Sequence, residues 1–311
     1  MVSKKIIANN NERLDVCLSK HFKQDYSRVE MQDLIKNGKV KVNNIIVGKP
    51  SFCVKNKDVV DISFEPKVKD TFLQPKEMKI DIVFENENLL VINKPVGLTV
   101  HPGAGNKNNT LVNGLLDLQN KGKITLSNER GFERVGVVHR LDRDTSGLMI
   151  IAKHNKAHRL LAELIKNHEI DRRYLALVHG VPVPPIGRIE EYMCRDKKCI
   201  QRMKICQKDD DGAKFSATNY KILKVVDNGK KSIVECKLET GRTHQIRLHM
   251  QTIKHPLVGE QIYTQSNLRQ IDLNEGYTHQ MLHSYKLSFN DPVNGKMIEL
   301  VALSEIFATI L

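Results

Sequence analysis

No apolar run in this sequence approaches the ~20 residues of a membrane-spanning helix. Residues 1–15, MVSKKIIANNNERLD, lack the apolar stretch of a secretory leader. Both absences point to the cytoplasm and away from a membrane partner. The six cysteines (Cys17, Cys53, Cys194, Cys199, Cys206 and Cys236) form no C-x-x-C pair, and no histidine lies near the 194–206 group. That disfavours a zinc site, and reduced structural thiols are expected instead. No repeat and no low-complexity tract occurs, which excludes solenoids and arrays.

What the sequence does have is positive charge. Lys and Arg outnumber Asp and Glu by 49 to 36 in 311 residues, a formal net charge of +13. The excess recurs in several separated segments, so a polyanion, nucleic acid first, is the expected partner. A hydrophobic content of 40% supports a packed core and excludes a disordered chain.

Two units are expected, joined by a polar linker. In the first, at 12–64, Leu14, Cys17, Leu18 and Phe22 recur at helical spacing. Ser27 can cap a second helix that stops at Gly38. KVKVNN then reads as a strand turning at Asn43-Asn44, and VVDISF as another strand. Two short helices and a few strands carrying Arg28 and Lys39 suit a small RNA-binding module. Residues 65–79, with Pro66 and Pro75, read as the linker.

Residues 80–311 read as a mixed α+β domain. Ile80–Phe84 and Leu89–Ile92 flank a polar turn, a hairpin signal. VGVVHRLD reads as a strand running into a loop, and GLMIIAK as a second strand. Ala157, Leu160, Leu161, Leu164 and Ile165 mark one helix face. RRYLALVHG, YKILKVV and SIVECKLE are further strands, the charged stretch 194–214 is loop or hairpin, and GRTHQIRLHMQ is a loop opening a helix.

The stretch HRLDRDTSG at 139–147 alternates two acids with two arginines around one leucine. Asp142 sits at a strand-to-loop boundary, where side chains are often presented to a cleft. Neighbouring guanidiniums favour its ionised form. Such a carboxylate can be a nucleophile, a general base or an electrostatic stabiliser, and a plain loop salt bridge fits the spacing as well. Asp144, followed by Thr145 and Ser146, suits a turn-shaping role. His139 is expected to be structural. Arg242 can bind phosphate or brace its loop. His244 and His249 are spaced for no shared metal on one helix face. The Gly103–Gly105 loop is followed by neither G-K-[ST] nor GxGxxG, and reads as a flexible rim. The basic run 195–208 is a candidate phosphate contact.

HRLDRDTSGLMIIAK resembles the signature of the RluA-type pseudouridine synthases. LLVINKPVGLTVHPGAGN and ETGRTHQIRLHMQTIKHPLVGE match the family's flanking motifs in the right order. The pattern RLD…SR…GKVKVN…KP resembles an S4 RNA-binding domain, and VHPGAGN resembles the family's RluD-type branch. The match runs over nearly the whole chain.

The resemblance implies a pseudouridine synthase fold: a mixed, mainly antiparallel central sheet with helices and loops around a catalytic cleft, plus a small α/β S4 domain. It implies isomerisation of specific uridines in large-subunit (23S) ribosomal RNA, free or in a subunit precursor, with no cofactor and no metal. Asp142 would be the essential aspartate. Tyr174 would pack on the target base, and Arg247 would pair with the carboxylate. Leu282 would line the pocket, and Arg140 would help open the RNA. Departures from the family pattern are Glu260 after Gly259 in place of aspartate, Asp291-Pro292 in place of His-Pro, and Arg172 where lysine is frequent. Two rival readings remain: a non-catalytic ribosome-assembly factor, and a hydrolase that pairs Asp142 with a second carboxyl group, Glu239 or Glu260.

Overall fold

In a computed structural model of the chain, residues 2–22, 26, 28–64, 73–103, 106, 108–199 and 201–311 are described. Ser27, the first part of the expected linker (65–72), and residues 104 and 105 of the glycine loop lie outside them. The chain divides into two units, Met1–Thr71 and Phe72–Leu311. No helix among the described residues is long and apolar enough to cross a membrane.

The first unit contains β1 (Val2–Ile7), β2 (Glu12–Arg13), α1 (Leu14–His21), α2 (Arg28–Lys36), β3 (Val40–Val42), β4 (Ile45–Ile46), β5 (Cys53–Val54) and β6 (Val59–Phe64). Leu14 and Leu18 on α1, and Met31 and Ile35 on α2, are spaced by one helical turn. They bury against Val40, Val60 and Ile62 of the sheet. The sheet order is β1-β6-β3-β4. Asn43 and Asn44 both take left-handed backbone, at φ 47° and 70°, which closes the β3–β4 hairpin. β1, which periodicity alone did not mark, pairs along the length of β6. Between the helices, buried Asp15 accepts hydrogen bonds from Arg13, Arg28 and Gln32.

The second unit is built on a ten-stranded sheet. Its strands are β7 (Ile82–Glu85), β8 (Leu89–Lys94), β9 (Ser146–Ala152), β10 (Asp171–His179), β11 (Ile186–Arg195), β12 (Met203–Cys206), β13 (Lys214–Val226), β14 (Lys231–Leu238), β15 (Leu282–Asn290) and β16 (Met297–Val301). The order is β12-β11-β13-β14-β10-β15-β9-β8-β7, with β16 also on β15. Among the described strands only β9 and β15 pair in parallel, so the sheet is mainly antiparallel. The helices are α3 (Leu111–Asn120), α4 (Asn155–Lys166), α5 (Gln245–Thr252), α6 (Ser266–Asn274) and α7 (Glu305–Ile310). Residues 73–79 run beside α3, where Lys76 N–H donates to Asn113 C=O.

The parallel junction requires Gly147. Its φ is 111°, and a Cβ there would lie 2.2 Å from the Ser284 carbonyl oxygen. β15 can therefore approach β9 only at a residue without a side chain.

One expected strand is absent. Residues 135–142 form turns and loop, with one bridge from Val137 to Ile151. Gly136, at φ 67°, breaks the extended run. Val135, Val137, Val138 and Leu141 are nevertheless buried, which explains the strand-like apolar pattern. The charged stretch 194–214 forms a hairpin, because β11 runs through Arg195 and pairs with β12.

Candidate active site

The loop that follows Leu141 delivers Asp142 to a cleft of about 430 Å³. A backbone turn closed by Thr145 N–H to Asp142 C=O fixes it, immediately before β9 begins. Beneath the loop lies Lys94, at 1% exposure. Its ammonium donates to the carbonyls of Pro95, Leu98 and Arg143. Burial pushes its pKa down to about 8, with Asp144 and Asp142 opposing the shift. Lys94 thus braces the Asp142 loop from below, a role not visible at the end of an apolar strand.

The cation beside Asp142 is not a sequence neighbour. Arg143 turns away and pairs with Asp144 through Nε and Nη2. Arg140 is exposed at the rim of the cleft. Arg247, from α5, instead places Nη1 3.5 Å from Asp142 Oδ2. The adjacent guanidiniums expected to serve Asp142 do not reach it. The turn points Arg143 back onto Asp144, and Asp144 acts by that ion pair.

Arg247 is held by Glu260. Its Nε donates to Glu260 Oε2 at 2.8 Å and its Nη2 to Oε1 at 2.7 Å. Glu260 Oε1 also accepts from Ile262 N–H. Burial opposes both charges. The hydrogen bonds between the two groups outweigh it, leaving the Arg247 pKa above and the Glu260 pKa below the usual value. The departure from the family pattern at 260 is therefore the anchor of Arg247, not a proton donor. Glu239 is also spent. It pairs with Arg188 and Asn219, and the Arg188 hydrogen bonds hold its pKa down at about 2. Neither residue offers the protonated carboxyl that a hydrolase would pair with Asp142.

Tyr174 on β10 and Leu282 at the start of β15 line the same cleft, both buried. Burial raises the Tyr174 pKa, so its hydroxyl stays protonated near neutrality. Arg172, two residues earlier on the same face, lines the cleft at 5% exposure, and its Nε has no partner among the described residues. Only its departure from lysine drew notice in the sequence. Arg242 also lines the cleft, with its Nε spent on the Phe215 carbonyl.

His139 Nε2 accepts from the Ile150 N–H, and burial lowers its pKa to about 3, so it is neutral. His244 and His249 are separated. His249 is buried against Ser216, and His244 opens toward Asp142. Outside the cleft, Cys194, Cys206 and Asp210 bring donor atoms within 4.8 Å of one another, which is the one grouping of metal-ligand type among the described residues. In the first unit, Arg28 is committed to Asp15, and Lys39 lines a groove with Lys5 and Lys41.

The RNA pseudouridylate synthase family model matches residues 88–252, and the S4 domain model matches residues 12–60. The chain belongs to the RNA pseudouridylate synthase family. It is 39% identical to a ribosomal large subunit pseudouridine synthase D of Zymomonas mobilis, over 88% of this chain and 84% of the relative. It is 38% identical to the protein of that name in Buchnera aphidicola, over 91% and 88%. The structure of human RNA pseudouridylate synthase domain containing 1 superposes with a TM-score of 0.57 at 22% identity. That superposition covers 75% of this chain and 86% of the human one, and shares the fold. The family's reaction, isomerisation of uridine in RNA to pseudouridine, is the activity of this chain.

Proposed function

We propose that the chain isomerises uridines of large-subunit ribosomal RNA, with Asp142 as the catalytic carboxylate. One observation carries the reading. Asp142, Tyr174, Arg247 and Leu282, from four distant segments, line one cleft. A binding protein has no need of that convergence.

The reaction breaks the N1–C1′ glycosidic bond, turns the uracil and forms a C5–C1′ bond. The proton on C5 leaves, and N1 gains one. Such chemistry needs an anionic group at the reacting atoms, a matching cation and walls that retain the free base. Asp142 with Arg247 provides the charges. Tyr174 and Leu282 provide an aromatic face and an apolar wall. The target uridine must leave its stack, at a cost of a few kcal/mol. In this reading Arg140 at the rim fills the vacated space, and Arg172 and Arg242 meet RNA oxygens.

In the same reading, residues 12–64 dock ribosomal RNA through the Lys39 groove, with Arg28 holding Asp15, residues 65–79 link, and residues 80–311 perform the chemistry. The likeness to synthases named for the large ribosomal subunit supports the substrate, and the net charge of +13 supports a polyanion. The work of such an enzyme lies in the cytoplasm. Pseudouridine mapping on large-subunit RNA, naked and in subunits, tests the proposal. Sites formed by the wild type and absent with Asp142→Asn are expected. No sites on either substrate would favour an assembly factor.

A further inference from the structure

His244 enters α5 in the left-handed conformation, at φ 57° and ψ 21°. That backbone turns its ring into the cleft beside Arg247. Its Nδ1 lies 2.7 Å from the Tyr263 hydroxyl, and its Nε2 lies 3.9 Å from Asp142 Oδ2. The Tyr263 oxygen also accepts the Met203 N–H at 2.9 Å. A backbone N–H can only donate, and a phenol has one proton. With one lone pair engaged by Met203, the hydroxyl can donate its proton to His244 Nδ1, an arrangement in which Nδ1 is the unprotonated nitrogen. Burial keeps the imidazole neutral by lowering its pKa, against the pull of Asp142. In that arrangement the single proton of the neutral ring lies on Nε2, the nitrogen that faces the carboxylate.

Tyr263 is itself held firmly. The Arg247 guanidinium packs over its ring at 5.3 Å, and Arg202 of the β11–β12 hairpin lies 5.8 Å from it. Arg247 also addresses Oδ2 of Asp142, at 3.5 Å. Both neighbours of the carboxylate thus converge on one oxygen. Among the described residues, none donates to the other.

Building on the reading of Asp142 as the catalytic carboxylate, we infer that Tyr263 and His244 are a positioning pair. They fix the Nε2–H tautomer, anchor Oδ2 together with Arg247, and leave Oδ1 as the oxygen that meets the uridine. The 3.9 Å separation is longer than a hydrogen bond. Contacts of this kind commonly tighten when substrate fills a site, and a closure of about 1 Å suffices here. Spacing draws attention to His244 only as a metal candidate, and Tyr263 reaches the site only through the fold.

The test uses the full-length protein labelled with 15N at histidine. Long-range proton–nitrogen spectra report the tautomer, and His244→Asn identifies the resonance by its loss, since asparagine tolerates left-handed backbone. The Nε2–H form is expected in the wild type, and a population of the Nδ1–H form in Tyr263→Phe. Both variants are expected to lower kcat by roughly 10- to 100-fold, the worth of a hydrogen bond to a charged group. Their KM for RNA should stay within about 3-fold, because no phosphate contact is touched. His244→Gln, whose amide N–H reaches about as far as the imidazole Nε2, should recover part of the kcat lost in His244→Asn. A wild-type Nδ1–H tautomer overturns the inference, as does Tyr263→Phe with unchanged tautomer and kcat. Full turnover by Asp142→Asn would instead overturn the catalytic reading, and with it the reacting oxygen, while the tautomer result stands on its own.

Discussion

Arg247 divides one guanidinium between two carboxylates: Nε and Nη2 bind Glu260, and Nη1 faces Asp142. Glu260 is fully buried and Asp142 reaches the cleft, so one ion pair is structural and the other is open to substrate. Glu260→Gln should therefore act on both stability and chemistry. Removing one partner of a buried pair costs about 3–5 kcal/mol. Loss of the fork also frees Arg247 to shift, and a displacement of about 1 Å lowers kcat by up to roughly 100-fold. Denaturant unfolding and single-turnover kinetics on the same variant check this. A stability loss with unchanged kcat would confine Glu260 to the scaffold.

Gly147 should tolerate no side chain. A Cβ would lie 2.2 Å from the Ser284 oxygen and 2.6 Å from its nitrogen, at a φ of 111°. Gly147→Ala is expected to destabilise by about 3 kcal/mol or more, through overpacking and backbone strain together. Gly48→Ala, with open space around it, should change stability by less than about 1 kcal/mol. Equal melting temperatures for the two variants would contradict the packing account.

Buried histidines set the acid limb of stability. Burial lowers the pKa of His139 to about 3 and that of His249 to about 4. As pH falls below ~6.5, the unfolded chain takes up protons that these folded sites refuse. Stability should then drop by on the order of 1 kcal/mol per pH unit for each such histidine, between about pH 6.5 and 5. His249→Gln should flatten that slope relative to wild type in urea titrations at pH 7.5 and 5. Parallel slopes would show that His249 is not held neutral.

RNA docking by the first unit should carry a salt signature. Lys5, Lys39 and Lys41 line one groove. Lys39→Glu with Lys41→Glu should weaken ribosomal RNA binding. The slope of log affinity against log salt should fall by about 1 for each phosphate no longer neutralised. Turnover on a short stem-loop should be affected far less. An unchanged salt slope would remove the groove from the RNA path.

The local features of the sequence were legible where physics is local. Leu14 and Leu18 mark a helix face, Asn43-Asn44 marks a hairpin turn, and an acid in a loop after an apolar run marks Asp142. Misreadings arose where neighbours in sequence stood in for neighbours in space. Arg143 looked like a partner of Asp142 and belongs to Asp144. Residues 135–142 looked like a strand because four buried apolar groups fall there, yet Gly136 turns the chain. Arg247, Tyr174 and Leu282 entered only through family resemblance, since no periodicity links them to Asp142. Glu260, Tyr263 and Lys94 needed the fold, because their partners are fixed by how distant segments pack.

The most direct measurement is tritium release from RNA carrying 5-tritiated uridine, with RNA affinity measured in parallel, for wild type and Asp142→Asn. Exchange of the C5 proton reports the isomerisation itself. The account predicts no release above background for Asp142→Asn and RNA affinity within about 3-fold of wild type, because one anion and no phosphate contact is removed. Release at the wild-type rate would contradict it and move the chemistry away from Asp142.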